Sequence, residues 1–187
     1  MRALSTRAID MGPATQQLRM FSSESEVVAL RHPDHRVQFY KDDTFLAKSI
    51  AAHLGESVRN GGAALLISTP DHRQLVLNEL GRLEIPADAV LKNCITVDAS
   101  DLLNRFMVCG LPDLPKFKAV IRELIQRIDS TGHNEKLIAA YGEMVSLLLC
   151  EGNPQAAVQL ERFWNQCCRL YSISLLCGYP IFSFSGD

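Results

Sequence analysis

Apolar residues recur in two rhythms along this chain, and their alternation predicts its elements. Residues 37–40 form a short apolar run that reads as a strand. Asp42, Asp43 and Thr44 then offer a helix start, and Leu46, Ile50, Leu54 and Val58 recur at every fourth position. Asn60, Gly61 and Gly62 close that helix, and residues 63–68 read as a buried strand bounded by turn signals. Thr69 as N-cap, with Pro70 at the first helical position, opens a second helix striped by Val76, Leu80 and Leu83. Residues 94–97 are the next strand and 100–107 a short helix. Pro112 and Pro115 bracket a break. The clearest helix follows over 116–129, with Phe117, Val120, Ile121, Leu124, Ile125 and Ile128 on one face and Lys118, Arg122, Glu123 and Arg127 on the other. Thr131 and Gly132 stop it. Residues 137–141 read as a strand, 143–150 as a short helix ended by Gly152, and Asn153 with Pro154 caps a helix running to about Tyr171. Residues 173–177 make a final apolar strand, and 181–184 suit an edge strand.

Strands alternating with helices form parallel βαβ units, so the expected fold is α/β, a three-layer α/β/α sandwich with a mostly parallel sheet. Ligands of such sheets bind outside the carboxyl ends of the strands. Those ends are Tyr40 to Asp43, Thr69 to Arg73, Asp98, Gly142 with Glu143, and Cys177 to Tyr179. Residues 1–31 carry no sustained periodicity and are expected to be a flexible arm, with one helical turn near 24–30. Met11 and Met20 leave later start sites open. Residues 32–187 contain no repeat or interior linker and are expected to be one domain, with no room in the arm for a separate kinase or helix-turn-helix module.

Composition narrows the class. A chain of 187 residues, 47% apolar, can bury a sizeable core without staples. Its 19 basic and 21 acidic residues give a formal charge of −2, with no electrostatic footprint for nucleic acid or an anionic membrane surface. No apolar run approaches the ~18 residues that span a bilayer, so the chain is expected to be soluble. Cysteines at 94, 109, 150, 167, 168 and 177 include no Cys-x-x-Cys pair, and no secretory apolar region opens the chain. Free thiols in a reducing cytoplasm, most of them acting as small core hydrophobes, are the plain reading.

Candidate chemistry is sparse. Lys48-Ser49 sits on the first helix after the first strand, where a phosphate loop would end, but residues 40–47 hold no glycine to wrap a phosphate. His72-Arg73 at a helix start suits an anion, and equally a solvated first turn. His32 and His35 have metal-pair spacing and Cys177 lies at an expected strand end, yet no local set completes a site and no metal or cofactor is assigned. Asp98 and Glu143 make a conceivable acid/base pair, or simply cap helices. No nucleophile elbow or triad order stands out, so no catalytic residue is assigned. Trp164 shares a helix face with Leu160, Cys167 and Cys168, as a core residue or as the wall of an apolar pocket.

An ordered series of segments resembles the MEDS domain, named for methanogen and methylotroph sensory proteins that include a dichloromethane-responsive regulator. They are His35-Arg36-Val37-Gln38-Phe39-Tyr40, Thr69-Pro70-Asp71-His72-Arg73, Arg105-Phe106-Met107-Val108 and Gly110-Leu111-Pro112-Asp113. Tyr141-Gly142-Glu143-Met144-Val145, Trp164-Asn165 and Leu175-Leu176-Cys177-Gly178-Tyr179-Pro180 complete it. The resemblance implies a RecA/KaiC-like domain that has lost its phosphate loop, a role in sensing small organic molecules, and relatives joined to histidine kinase or DNA-binding modules. The family's recurring polar positions correspond to His35, Tyr40, His72, Asp98, Arg105, Asp113, Glu143 and Cys177. Relatives often carry an Arg before the Tyr-Gly-Glu-Met stretch, where this chain has Ala139 and Ala140, so ligand identity does not transfer.

The expected function is a non-enzymatic sensory module. It would bind a small organic ligand among His35, Tyr40, His72, Arg73, Asp98, Arg105, Asp113, Glu143, Trp164 and Cys177, order the loop 110–115, and regulate a protein partner such as a histidine kinase or transcription regulator. Residual nucleotide binding at a RecA-like site and a self-assembling interaction scaffold are the alternatives.

Overall fold

The computed structural model describes residues 34–130 and 137–181. The expected arm with its helical turn, the later starts, His32, the stop at Thr131 and Gly132, and residues 182–184 of the expected edge strand lie outside the described residues. In chain order the elements are β1 (His35–Tyr40), α1 (Asp43–Arg59), β2 (Ala63–Ser68), α2 (Pro70–Gly81), α3 (Ala87–Asn93), β3 (Cys94–Asp98) and α4 (Ala99–Asn104). They continue as β4 (Met107–Val108), β5 (Leu111–Pro112), α5 (Leu114–Asp129), β6 (Ile138–Gly142), α6 (Met144–Cys150), α7 (Pro154–Leu170) and β7 (Ile173–Pro180).

Among the described residues the main sheet has five strands in the order β1-β7-β6-β2-β3, and every neighbouring pair is parallel. Each connection therefore crosses over through helices, which cover both faces. Alternate side chains divide the core. Ala64, Leu66, Ala139, Tyr141 and Leu176 pack with α1, α2 and Ile85. Ala63, Leu65, Ile67, Ile138, Ala140, Ile173, Leu175 and Cys177 pack with α4, α5, α6 and α7. This is the three-layer α/β/α sandwich that the alternation of elements predicts. Strands β2 and β6, two of the three interior strands, are buried along their length, which explains their unbroken apolar runs.

Local chemistry sets the helix ends. Asp42, Asp98, Asp113 and Asn153 accept backbone N–H bonds from Phe45, Ser100 with Asp101, Lys116 and Ala156. Three features depart from the sequence pattern. The helix expected over 100–107 ends at Asn104, and a short hairpin, β4–β5, follows. Its two turn residues are Cys109 at φ 49° and Gly110 at φ 80°, a mirror-image turn that normally advertises itself by Asn-Gly. Helix α3 fully buries none of its residues, so it leaves no apolar stripe to read. Strand β7 runs on to Pro180, which places Cys177 inside the strand and corrects its expected position at a strand end.

Candidate functional site

The carboxyl ends of β6 and β2 and the first turn of α2 converge on one acidic side chain. Glu143 follows β6 directly, and its N–H donates to Ile67 O at 3.0 Å, prolonging the ladder by one bond. That anchor swings the carboxylate across the end of β2, where it is 4% exposed. Thr69 N–H donates to it at 2.8 Å, and the Thr69 hydroxyl lies 3.2 Å from each oxygen. His72 Nδ1 donates to Oε1 at 2.6 Å, while its Nε2 faces Asp43 Oδ1 at 3.3 Å. With an acceptor at each ring nitrogen, the ring is held as an imidazolium. Its pKa rises, first through the hydrogen bond to Glu143, against an opposing burial effect, and then through the charges of Glu143 and Asp43. The Tyr40 ring stands edge-on to it at a centroid distance of 6.1 Å. Burial, then Glu143 and Asp43, raise the Tyr40 pKa, so its phenol stays protonated.

Two hydroxyls beside this network stand out. Ser68 Oγ and Tyr141 Oη are buried and have no hydrogen-bond partner among the described residues. Both lie on the α1 side of the sheet by strand alternation, on paired strands in which Leu66 is opposite Tyr141. Gly178 makes room for the phenol: a Cβ there would stand 2.7 Å from Tyr141 Oη. Next to His72, Arg73 Nη2 donates to Asp98 Oδ2 at 3.2 Å, and Arg73 Nε is a third buried atom without a partner among the described residues. Asp98 also caps α4, so the capping reading of that residue is realised.

Other expected site residues lie apart from this group. His35 points to the α7 side, where Nδ1 meets Asn165 Oδ1 at 3.0 Å and Nε2 meets Cys177 Sγ at 3.2 Å and Glu161 Oε2 at 3.1 Å. Tyr179 donates its hydroxyl to Glu161 Oε1. Burial and then Glu161 raise the Cys177 pKa well above that of a free thiol. Trp164 is fully buried and meets Phe117 edge-to-face at 5.2 Å, which makes it first a core residue. Arg105 is exposed and pairs with Glu123 of α5, and Asp113 caps α5.

Thus the structure gathers Tyr40, His72 and Glu143, with Arg73 and Asp98 alongside, and brings His35 to Cys177 on the opposite face. Thr69 and Asp43, which belong to the strand ends read from the sequence, join the edge group, while Glu161, Asn165, Tyr141 and Ser68 join without having been expected as site residues. The i, i+4 spacing of Glu161 and Asn165 on a capped helix is the one signal that could have pointed to two of them. No helix among the described residues is long and apolar enough to cross a membrane.

The family model described as "MEDS: MEthanogen/methylotroph, DcmR Sensory domain" matches residues 34–187. No curated protein matches the chain.

Proposed function

The chain belongs to the MEDS family of sensory domains, and on that premise we propose that it binds a small organic molecule at the carboxyl edge of the sheet and passes the event to a protein partner. One observation carries this reading: Ser68 Oγ and Tyr141 Oη, buried on the same face beside the His72–Glu143 network, lack partners among the described residues. An unmet buried polar group costs about 1–3 kcal/mol, and a ligand with a carbonyl, hydroxyl or amine end meets it. Arg73 and the imidazolium of His72 suit an oxygen-bearing end, and Tyr40 supplies an aromatic edge.

The reading extends to the rest of the molecule. Residues 1–31 serve as an arm and 32–187 as the sensory domain. The sandwich is RecA/KaiC-like with its phosphate loop lost, in keeping with an exposed Lys48 and a Ser49 hydroxyl that donates to Phe45 O at 3.1 Å on an unbroken helix. The module is non-enzymatic, acts in the cytoplasm, and regulates a histidine kinase or transcription regulator.

A thermal-shift screen of small oxygenated organics tests the proposal on the full chain and on Ser68→Ala and Tyr141→Phe. A compound that stabilises the wild type, and stabilises both variants less, supports it. A screen that moves nothing while a kinase partner binds tightly makes the chain an interaction domain. Mg-ATP binding abolished by Lys48→Ala would replace the sensory reading with a nucleotide-binding one.

A further inference from the structure

Three electron-rich atoms converge on the α7 side of the sheet: His35 Nε2 from β1, Glu161 Oε2 from α7 and Cys177 Sγ from β7. All three ligand atoms lie within 4.8 Å of one another. The orientation of the imidazole makes this convergence informative. Asn165 Oδ1 lies 3.0 Å from His35 Nδ1 and holds that side of the ring, which turns Nε2 toward the other two groups. Nε2 lies 3.1 Å from a Glu161 carboxylate oxygen and 3.2 Å from the Cys177 sulfur. In the metal-free protein the Cys177 S–H, or a proton on Nε2, bridges these contacts, and a metal ion would take the place of those protons.

We infer that His35, Glu161 and Cys177 form a binding site for one divalent transition-metal ion, with zinc the best match to a nitrogen, oxygen and sulfur set. Zinc bonds of about 2.0–2.3 Å at tetrahedral angles separate ligand atoms by roughly 3.3–3.6 Å. The observed 3.1 and 3.2 Å reach that spacing with shifts of a few tenths of an ångström. Each outer ligand is also held from behind, as metal ligands usually are: Asn165 fixes the His35 ring and Tyr179 donates to Glu161. Binding displaces the Cys177 proton to solvent, leaving a thiolate on the metal.

Three protein ligands leave a fourth position open, as in sites where metal meets an exchangeable molecule. A second observation marks where such a molecule would lie. Trp164 Nε1 is buried with no partner among the described residues. It and Cys177 Sγ each lie 3.9 Å from the point where a Cβ on Gly142 would stand. The glycine thus keeps a methyl-sized space between the thiol and an unmet N–H donor, bounded also by Leu175 Cδ1 at 3.6 Å, which fits a small metal ligand such as a water molecule.

Cobalt titration of the tag-free, chelator-stripped full chain tests the site. The expected result is one equivalent of Co²⁺ bound, with a thiolate-to-cobalt charge-transfer band, quenching of Trp164 fluorescence, and displacement by Zn²⁺. Cys177→Ser removes the band, and Asn165→Ala weakens binding by about 10- to 100-fold. Because Cys177 is fully buried, Glu161→Gln on the partly exposed face of α7 gives an independent variant, expected to weaken binding at least as much; circular dichroism confirms folding of each. A folded wild type with no charge-transfer band overturns the site, as does binding that survives both Cys177→Ser and Glu161→Gln. The residues differ from Ser68 and Tyr141, so failure here leaves the edge-ligand reading standing, and the converse holds.

Discussion

His53 and His72 lie on the same side of one sheet and treat the proton in opposite ways. His53 sits over the middle of the sheet, where its Nε2–H donates to Ala140 O at 3.2 Å and Ser174 O at 3.0 Å while Arg36 donates to its Nδ1 at 2.8 Å. Burial, then the Arg36 charge, lowers its pKa to about 3, so the ring is neutral. His72 stands at the carboxyl edge between two carboxylates, and its pKa is raised. Helices close the middle of the sheet, where burial and the neighbouring Arg36 guanidinium keep the His53 imidazole uncharged. The strand ends leave backbone donors and side-chain carboxylates free to gather there, so the edge is where this fold can hold an ionised group and a polar ligand.

The largest test of that contrast is acidification. The folded pKa of His53 lies below its unfolded value near 6.5, so its contribution is full above pH 6.5 and is lost as pH falls toward 3. The whole window corresponds to roughly 5 kcal/mol. In urea melts from pH 7 to pH 4, the stability gap between wild type and His53→Gln should therefore narrow as pH falls. A gap that stays constant breaks the comparison at its centre.

At the edge, Glu143→Ala strands the His72 imidazolium and the Thr69 N–H, and is expected to lower stability by about 3–5 kcal/mol. Equilibrium unfolding measures it, and a loss under about 1 kcal/mol would show that the edge network is solvated like an ordinary surface pair. Gly178→Ala probes the border between the two regions. Its methyl meets Tyr141 Oη and should cost about 1–3 kcal/mol. Removing the hydroxyl in the Gly178→Ala/Tyr141→Phe double variant should recover most of that loss, which a simple backbone strain would not allow.

The smallest effect is the pH dependence of His72 itself. Its raised folded pKa means that its contribution is full below the unfolded value and is lost as pH rises through the folded one. Glu143, Asp43 and Tyr40 are the groups that face it. The stability gap between wild type and His72→Gln should thus narrow toward alkaline pH, with the opposite slope to that of His53→Gln. Parallel slopes would remove the distinction between the middle and the edge.

Much of the fold was legible in the chain because burial imposes periodicity. Leu46, Ile50, Leu54 and Val58 mark α1, the run of residues 63–68 marks β2, and the stripe from Phe117 to Ile128 marks α5, each within a residue or two of its observed bounds. Half of the edge network was legible too, since strand ends follow from strands: Tyr40, His72 and Glu143 meet where the alternation places them. The α3 helix and the β4–β5 hairpin escaped, because one buries no full stripe and the other turns through Cys109 in place of asparagine.

By itself the amino-acid sequence determined the layers, the parallel sheet and the polar groups at its carboxyl edge, since local periodicity and capping dictate which face each segment buries. Only the tertiary structure decided the partners. Strand order sets β7 between β1 and β6, which brings Cys177 to His35, 142 residues away in the chain, and Gly178 under Tyr141. It also decided that Arg105 pairs with Glu123 of α5, that Asp113 caps that helix, and that Glu161 comes within 3.1 Å of His35. Contacts between distant segments carry no periodic signature, so they exist only once the sheet has chosen its order.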